Sequence, residues 1–454
     1  MEKIRLNQRK EEYTLFKCGF SQRKINPEIG SGIPGNFFPP PSQGIDDDLM
    51  TKVAYFNDGE KEALIVVADF VEMYRSEALP IRKYLAEKTG IHMDAVMFCG
   101  THTHSGGMVL GFPPFTYTKA DENYLKLIRD RSLEAAKEAM EKAVSAKIGF
   151  GVGKEESVSF NRRFIMKDGK VKTNPGYLNP DIVEPEGTRD PDVAVLRVDT
   201  LEGKPIGMIT NFAAHGTAHT GPYFSADYPA GIAQIVSTVL GEDVVSLYIN
   251  GACGNVITSD AQGKVLKREV STAPDYYLTM GRIIGLEALK TRERISYIED
   301  SKLDYTVETV FVHKRVPTEE EYDRAMQYLN SEGEKTPKDE YYAASTQVMY
   351  EDPDKEKPMP ADVQVISVGG VRICAFPAEL FYEYAIDLKE CEKDEKVMIA
   401  TIANGVLGYV PTRRAFKNGG YEPSLGYTSR WEEACGQKLV EAMIRQIERI
   451  KERE

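Results

Sequence analysis

The sequence contains six histidines, and two of them lie in a short motif that could bind a metal ion. The motif THTHSGG (residues 101–107) contains His102 and His104 and directly follows a predicted apolar strand at 94–100. Side chains two positions apart in an extended chain point the same way, and neutral imidazole is the commonest zinc ligand. The glycines that follow allow a tight turn close to a ligand. An isolated HxH motif is also compatible with two polar side chains in a loop, so it needs support from elsewhere in the chain.

A second histidine stands at the end of another predicted strand. His215 ends the apolar run at 207–215 and is followed by a Gly/Thr/Ala loop that contains His219. Two strands that deliver histidines to their ends are a common way to assemble a metal site in an α/β sheet. His219 is interpreted as a neighbour of the site or as an exposed residue. His92 is predicted to be solvated, and His313 is predicted to be structural.

Several further segments, together with the histidine motif, resemble the neutral, alkaline-active ceramidase family. They occur in the family's order and with similar separations, so chance is a poor explanation. The resemblance covers roughly residues 15–260 through THTHSGG (101–107), NR (161–162), NFAAHGT (211–217), SADYP (225–229) and INGACGNV (249–256). Thinner matches follow in FPAE (376–379), NGVLGYVPT (404–412) and GYE (420–422).

The resemblance implies one zinc ion per chain, held by His102, His215, Glu379 and Tyr409. Two imidazoles, a carboxylate and a weak phenolic ligand leave zinc an open position, at which it lowers the pKa of a water molecule toward neutrality. Without the resemblance, Glu379 also fits a carboxylate at a helix N-terminus, and Tyr409 fits an ordinary packing residue.

The resemblance also assigns residues that act beside the metal. His104 is expected to transfer a proton or to polarise the reaction intermediate, and Arg162 is expected to contact substrate or reaction oxygen. A surface salt bridge is the alternative interpretation of Arg162. Tyr421 is placed near the leaving group. The residues expected to contact substrate are Gly106, Asp227 and Asn255.

The chain departs from the family in ways that bear on mechanism and substrate. Ile257 occupies the position of the family's active-site serine, so attack by metal-activated water is favoured over a serine nucleophile. The family's C-terminal immunoglobulin-like domain and its secretion signal are both expected to be missing. A cytoplasmic location is therefore predicted, and the substrate is expected to be a small-molecule N-acyl compound, which includes lipids but extends to smaller amides.

The leading functional hypothesis is zinc-dependent hydrolysis of an amide bond in an N-acyl compound. One alternative is metal-dependent hydrolysis of an ester, lactone or phosphoester. A second ion would favour phosphoester chemistry, and its candidate ligands are Asp227, His219 and Asp260. The other alternative is a non-catalytic descendant that keeps the fold for ligand binding, but all four matched ligand positions are intact.

Composition excludes some classes of function. The 454 residues carry a net charge of −13, so a nucleic-acid partner is disfavoured. No apolar run is long enough to predict a membrane span. The six cysteines lie far apart without a CxxC pair and are predicted to be reduced and buried. The sequence does not indicate an oligomeric state.

Apolar strands that alternate with amphipathic helices predict one large α/β (α+β) catalytic domain over residues 1–454, with mixed β-sheets flanked by helices. A boundary near 295–320 is left open, because predicted strands at 303–315 follow a long helix. Two segments are interpreted as surface excursions, the Gly/Pro-rich stretch 30–46 and a charged insertion at about 332–361. Helices are predicted at 76–89, 121–143, 229–240, 276–292, 318–331, 380–390 and 430–453. Strands are predicted at 94–100, 192–198, 207–215, 243–251, 363–377 and 396–405.

Overall fold

Strands and helices of the chain are known from a computed structural model that describes residues 16–35, 39–111, 119–393 and 396–454. The strands of this part of the chain are β1 (Lys17–Lys24), β2 (Gly44–Ile45), β3 (Met50–Asn57), β4 (Glu62–Ala68), β5 (Val96–Gly100), β6 (Val144–Lys154), β7 (Phe160–Asn161), β8 (Arg163–Met166), β9 (Val171–Thr173), β10 (Ile182–Pro185), β11 (Asp192–Thr200), β12 (Pro205–Phe212), β13 (Tyr223–Phe224), β14 (Val245–Asn250), β15 (Val256–Ile257), β16 (Leu303–Val312), β17 (Met359–Val368), β18 (Val371–Ala375), β19 (Glu379–Leu380), β20 (Lys396–Ala400) and β21 (Tyr409–Val410). The helices are α1 (Arg75–Thr89), α2 (Glu122–Glu141), α3 (Tyr228–Leu240), α4 (Arg268–Ser271), α5 (Tyr276–Arg292), α6 (Glu319–Asn330), α7 (Pro337–Glu351), α8 (Tyr382–Cys391), α9 (Arg413–Asn418) and α10 (Cys435–Lys451).

An eight-stranded mixed sheet with the order β14-β12-β11-β6-β1-β3-β4-β5 forms the larger layer. The pairs β4–β5 and β12–β14 are parallel, and the other neighbours are antiparallel. Strands such as β4 and β14 are buried along nearly their whole length, which explains their continuous apolar sequences. The prediction of mixed sheets flanked by helices is confirmed.

A second sheet with the order β16-β17-β18-β20 is covered by α10. The apolar side of α10 buries residues such as Leu439, Met443 and Ile447 against this sheet. The single strand predicted at 363–377 is wrong, because β17 and β18 form a hairpin that turns at Gly369 and Gly370. Both glycines have positive φ angles, 58° and 77°, which side chains rarely adopt.

The largest apolar cluster joins the two sheets. It contains β4 residues such as Ile65 together with Ile366, Ile373 and Met398 of the second sheet. The segment near 295–320 is therefore where the chain passes from one sheet to the other, while the core stays continuous. A separate cluster lies under α3 and α5.

Helix α7 corrects the prediction of an exposed insertion at 332–361. The helix begins with a Thr336 cap and buries Tyr341 completely, and residues from 359 onward belong to β17. The composition of the segment is polar because both of its ends are exposed, whereas the buried positions of the helix lie between 341 and 349. The segment 30–46, predicted as a surface excursion, also contacts the interior, since Gly35 lies against His104. Residues 36–38 of this segment lie outside the described part of the chain.

Loops that follow four strands meet at one place. A bridge between Thr103 and Gly216 joins the loops after β5 and β12. The amide of Thr401, directly after β20, donates to the carbonyl of Asn250 at the end of β14. The amide of Asn404 donates to the carbonyl of Phe98. The two ends of the large sheet and the second sheet therefore deliver their strand ends to a common site, as the sequence predicted.

Candidate metal and active site

His102 is held rigidly just beyond the end of β5. Its backbone has a φ of 69°, an uncommon conformation for a residue with a side chain, and its amide donates to the carbonyl of Phe70. The side chain is buried, and its Nδ1 lies 2.8 Å from the carbonyl oxygen of Val71. The loop after β4 thus fixes the direction in which the ring presents Nε2.

His215 follows β12 and faces His102. Its Nδ1 lies 3.2 Å from the carbonyl oxygen of Cys253, and its Nε2 lies 3.4 Å from Nε2 of His102. A carbonyl oxygen only accepts hydrogen bonds, so Nδ1 carries the hydrogen in both neutral rings. Both Nε2 atoms then present lone pairs to the same point. Burial and the charge of Arg162 hold the pKa of His215 well below its usual range.

Glu379 and Tyr409 reach the same point from the second half of the chain. They are opposite each other in the short parallel pair β19–β21. The Glu379 carboxylate is buried, and its Oε2 lies 3.4 Å from Nε2 of His102 without a hydrogen-bond partner. Burial opposes a charge on His102, but the Glu379 carboxylate outweighs this effect and raises the pKa of His102.

Cys253 is a potential ligand that the sequence interpretation counted only as a buried cysteine. Its thiol and the rings of His102 and His215 place one ligand atom each within 4.8 Å of one another. Burial raises the pKa of the thiol. The motif INGACGNV, directly after a strand, contained the signal for this residue, since it stands at a strand end like both histidines.

This arrangement fits a metal ion. Two imidazole lone pairs and an unpartnered carboxylate oxygen converge in a buried site, and each histidine donates its other ring hydrogen to a backbone carbonyl. That pattern is typical of metal-binding histidines and fixes the tautomer that ligates. A divalent cation would satisfy all three groups at once, and nitrogen, oxygen and sulfur donors suit zinc.

His104 lines the cavity next to the two facing histidines. Its ring centre lies 5.0 Å from that of each of them, and its Nδ1 lies 3.2 Å from the carbonyl oxygen of Gly35. Its buried Nε2 has no hydrogen-bond partner. Burial and the neighbouring His102 lower the pKa of His104 to about 3, so this ring is neutral at pH 7.

Arg162 is held by a buried ionic network and is not in a surface salt bridge. Its Nε donates to Glu422 at 2.7 Å, and its Nη2 donates to the carbonyl of Gly254 at 2.7 Å. Its guanidinium lies 5.3 Å from the centre of the Tyr409 ring. The Tyr421 ring packs edge-on against Tyr409, with 5.6 Å between the centres.

These side chains surround one cavity of about 380 Å³. Val71 is the one aliphatic side chain among the described lining residues, but rings and aliphatic carbons make the exposed surface of the wall more apolar than polar. The lining consists of Gly35, Val71, Glu72, His102, His104, Arg162, Thr173, Asn174, Lys338, Glu379, Tyr409, Tyr421 and Thr428. Lys338 comes from α7, so the helix that the sequence placed in an exposed insertion contributes to the wall.

Three residues predicted to contact substrate do not line this cavity. Gly106 packs against the backbone of residues 69–70, where a Cβ would come within 3.2 Å. Asp227 caps α3 and accepts from the amide of Ala218 at 3.0 Å. The side chain of Asn255 joins the amide of Tyr382 to Glu383. All three support the site's loops in the structure, and substrate contact by them stays a prediction.

The candidate ligands for a second ion are engaged elsewhere. His219 lies between Ser105 and Asp46, with its Nδ1 2.8 Å from Ser105 Oγ and its Nε2 2.9 Å from Asp46 Oδ2. Asp260 accepts from backbone amides of its own loop. Ile257 pairs with Phe160 in the short ladder β15–β7 and is not among the residues that line the cavity.

The other predicted side chains also have clear locations. His92 is exposed and accepts from the amide of Asp94, as predicted for a solvated residue. His313 is exposed just after β16. Five of the six cysteines are buried, Cys391 is exposed, and no disulfide forms within the described part of the chain. No helix in the described part of the chain is long and apolar enough to cross a membrane.

Glu72 is a site residue that the sequence interpretation missed. It lies in the loop between β4 and α1, is only 5% exposed, and lines the cavity. Burial and the neighbouring Glu379 raise the pKa of Glu72 to about 8. The signal was available, because β4 is a buried strand parallel to β5, and Glu72 follows β4 much as His102 follows β5.

Comparison with known proteins shows the fold. No family model matches the sequence. A solved structure of a ceramidase complexed with C2 aligns with a TM-score of 0.75 and 17% identity, covering 97% of this chain and 76% of that one. The neutral ceramidase from Pseudomonas aeruginosa aligns with a TM-score of 0.73 and 17% identity, covering 97% and 75%. The chain therefore has the neutral ceramidase fold, which confirms the resemblance at the level of structure.

Proposed function

We propose that the protein is a zinc-dependent hydrolase that cleaves the amide bond of an N-acyl compound. The observation that carries this proposal is that His215 Nε2 and the unpartnered Glu379 Oε2 each lie 3.4 Å from His102 Nε2, in a buried site beside the cavity. The fold shared with neutral ceramidase, whose name denotes cleavage of an amide, supports the same chemistry.

The residues in place to hold the zinc ion are His102, His215 and Glu379, with Tyr409 or Cys253 as a further ligand. A bound zinc ion would lower the pKa of a water molecule at its open position and would polarise the amide carbonyl. The second-ion candidates hold other parts of the structure together, which supports one ion and amide rather than phosphoester chemistry.

His104 and Arg162 have complementary tasks in the proposed reaction. Neutral His104 presents an unpartnered Nε2 that can accept a proton. A proton taken up at this atom can be passed on to the leaving amine. Arg162 stays charged and is fixed by Glu422 and Gly254, so it can stabilise negative charge that develops on the carbonyl oxygen without having to reorganise.

The cavity favours a compact substrate over a long-chain lipid. Its volume of about 380 Å³ lies near the lower end of the range for small-molecule sites. The substrate we propose is therefore a compact N-acyl compound, with a lipid amide as the less favoured case.

The test is to measure amine release from short N-acyl amides by metal-free protein, zinc-loaded protein and a His215→Ala variant. A matched ester and a phosphoester are assayed in parallel. We expect amide cleavage by the zinc-loaded wild type alone. Cleavage of the ester or phosphoester without amide cleavage would assign the site to the alternative hydrolases. Zinc binding without turnover of any substrate would favour a ligand-binding protein.

A further inference from the structure

Glu72 is a buried carboxylate for which the proposed reaction has no use. The side chain lies on the cavity wall, and its Oε2 has no hydrogen-bond partner. Among the described residues it makes no ion pair within 4.0 Å. Burying a charged carboxylate without a partner costs several kcal/mol, and even a neutral acceptor left without a partner costs about 1–3 kcal/mol. Native structures therefore rarely keep such a group without a function.

The metal centre does not account for Glu72. Oε2 of Glu379 lies 3.4 Å from Nε2 of His102, whereas among the described residues Glu72 makes no contact of this kind within 4.0 Å. Glu72 and Glu379 instead repel each other across the cavity. With Glu379 assigned to the ion, Glu72 remains a buried carboxyl group on the cavity wall, facing the space that the substrate would occupy.

None of the nearby cations pairs with Glu72 among the described residues. Arg430 acts on the charge of Glu72 without an ion pair within 4.0 Å, and its guanidinium stacks on the Tyr427 ring, 3.9 Å from the ring centre. Arg162 is paired with Glu422. Lys338 is exposed on the first turn of α7. Among the described lining residues, Glu72 is therefore the one buried carboxyl group that is neither paired nor assigned to the metal.

We infer that Glu72 is a specificity-determining residue that binds a cationic group, such as a primary ammonium, on the N-acyl substrate. An ammonium donates to a buried carboxylate through charge-assisted hydrogen bonds, which are about twice as strong as neutral ones. This inference rests on the proposed function, because an N-acyl substrate is expected only for the proposed hydrolase. The binding of an organic cation at Glu72 can be tested without turnover.

The turnover experiment compares three acetamides of matched length on zinc-loaded protein. N-acetyl-1,4-diaminobutane carries an ammonium, N-butylacetamide is neutral, and 4-acetamidobutanoate carries a carboxylate. Wild type is expected to prefer the ammonium compound over the neutral one in kcat/KM by about tenfold or more. In Glu72→Gln this ratio is expected to fall to near one, and Glu72→Asp should retain part of it. Glu87→Gln, the same change at an exposed position of α1, should keep the wild-type ratio.

The binding experiment uses 1,4-diaminobutane, which cannot be hydrolysed, with calorimetry on zinc-loaded wild type and Glu72→Gln. If wild type binds 1,4-diaminobutane and Glu72→Gln binds it about tenfold more weakly, the inference is supported even if no amide is cleaved. Equal binding to both proteins, no binding to wild type, or a preference for the carboxylate substrate would overturn it. Zinc content is measured alongside, because loss of zinc in Glu72→Gln would make Glu72 a metal ligand and the inference wrong. Glu72→Asp provides the same comparison if the glutamine variant does not fold.

Discussion

At the scale of single residues, orientation matters more than residue type. His102 and His215 face each other because two backbone carbonyls, those of Val71 and Cys253, fix which ring nitrogen carries the hydrogen. His104 has the same side chain and lies 5.0 Å away, yet its Nδ1 is turned to Gly35. In the proposed mechanism the three histidines therefore have different tasks, two as ligands and one as a proton acceptor.

Replacing His104 tests this division. His104→Ala is expected to keep its zinc and to lose about 10²–10⁴-fold in kcat, because a proton acceptor is lost while the ligands stay in place. Amide hydrolysis and elemental analysis on the same sample check the prediction. Normal turnover in the variant would show that His104 takes no part in proton transfer.

Glu422 provides a second test at this scale. It is completely buried and accepts from both Arg162 and Arg163 at 2.7 Å. The two arginines outweigh burial and lower the pKa of Glu422. Glu422→Gln leaves two buried guanidinium groups short of a counter-charge, so we expect a loss of about 3–5 kcal/mol in the free energy of unfolding, measured with urea. An unchanged stability would contradict the network described for this carboxylate.

The sequence predicted some site residues and not others for physical reasons. The histidines could be found because they are rare in the chain and stand at the ends of apolar strands. Glu379 and Tyr409 depended on the family resemblance, since a glutamate before a helix and a tyrosine in a strand are common. Glu72 was not predicted because Glu is abundant and because β4, the buried strand that precedes it, was not predicted.

At the scale of elements, the site depends on short segments more than on long ones. The two-residue strands β19 and β21 place Glu379 opposite Tyr409. Such segments are too short to produce a periodic sequence pattern. All seven predicted helices are present, with ends that shift by a few residues, but four strands of the large sheet, β1, β3, β4 and β6, were not predicted. Helix α7 was not predicted because both of its ends are charged and its buried positions between 341 and 349 form no clear helical pattern.

Tyr341 of α7 contacts a residue of the cavity wall, and this contact can be removed. The Tyr341 hydroxyl lies 2.9 Å from Thr428 Oγ1 and accepts from the Thr428 amide. Tyr341→Phe is expected to cost about 1 kcal/mol in unfolding and to raise KM, because Thr428 lines the cavity. The matched control is Tyr322→Phe, which removes a surface contact with Glu351 and should change neither value. An equal effect of both changes would contradict a role of Tyr341 in positioning Thr428.

At the scale of the whole molecule, a metal ion would hold the two halves of the chain together. His102 and His215 belong to loops of the eight-stranded sheet, whereas Glu379 follows the hairpin of the second sheet. Removal of the ion is therefore expected to destabilise the entire fold. At a free zinc concentration 100 times the dissociation constant, binding would add about 2.7 kcal/mol.

This stabilisation should depend on pH in a defined direction. Zinc needs the unprotonated ring of His102, whose pKa is raised. In metal-free protein, protonation of His102 stabilises the fold. This contribution is fully present below the pKa of a histidine in the unfolded chain, about 6.5, and it is lost as the pH rises through the raised pKa of His102 in the folded protein. The difference in Tm between zinc-loaded and chelator-treated protein should therefore widen from pH 6 to about pH 8. A difference that narrows over this range would contradict the assignment of His102 as a ligand.

The most direct test of the whole account is the metal content of the purified protein, determined by elemental analysis for wild type and His215→Ala. The account predicts about one zinc ion per chain in wild type and its loss in the variant, with both proteins folded. Wild-type protein that contains no metal, even after incubation with zinc, would contradict the metal centre and the hydrolase mechanism that depends on it.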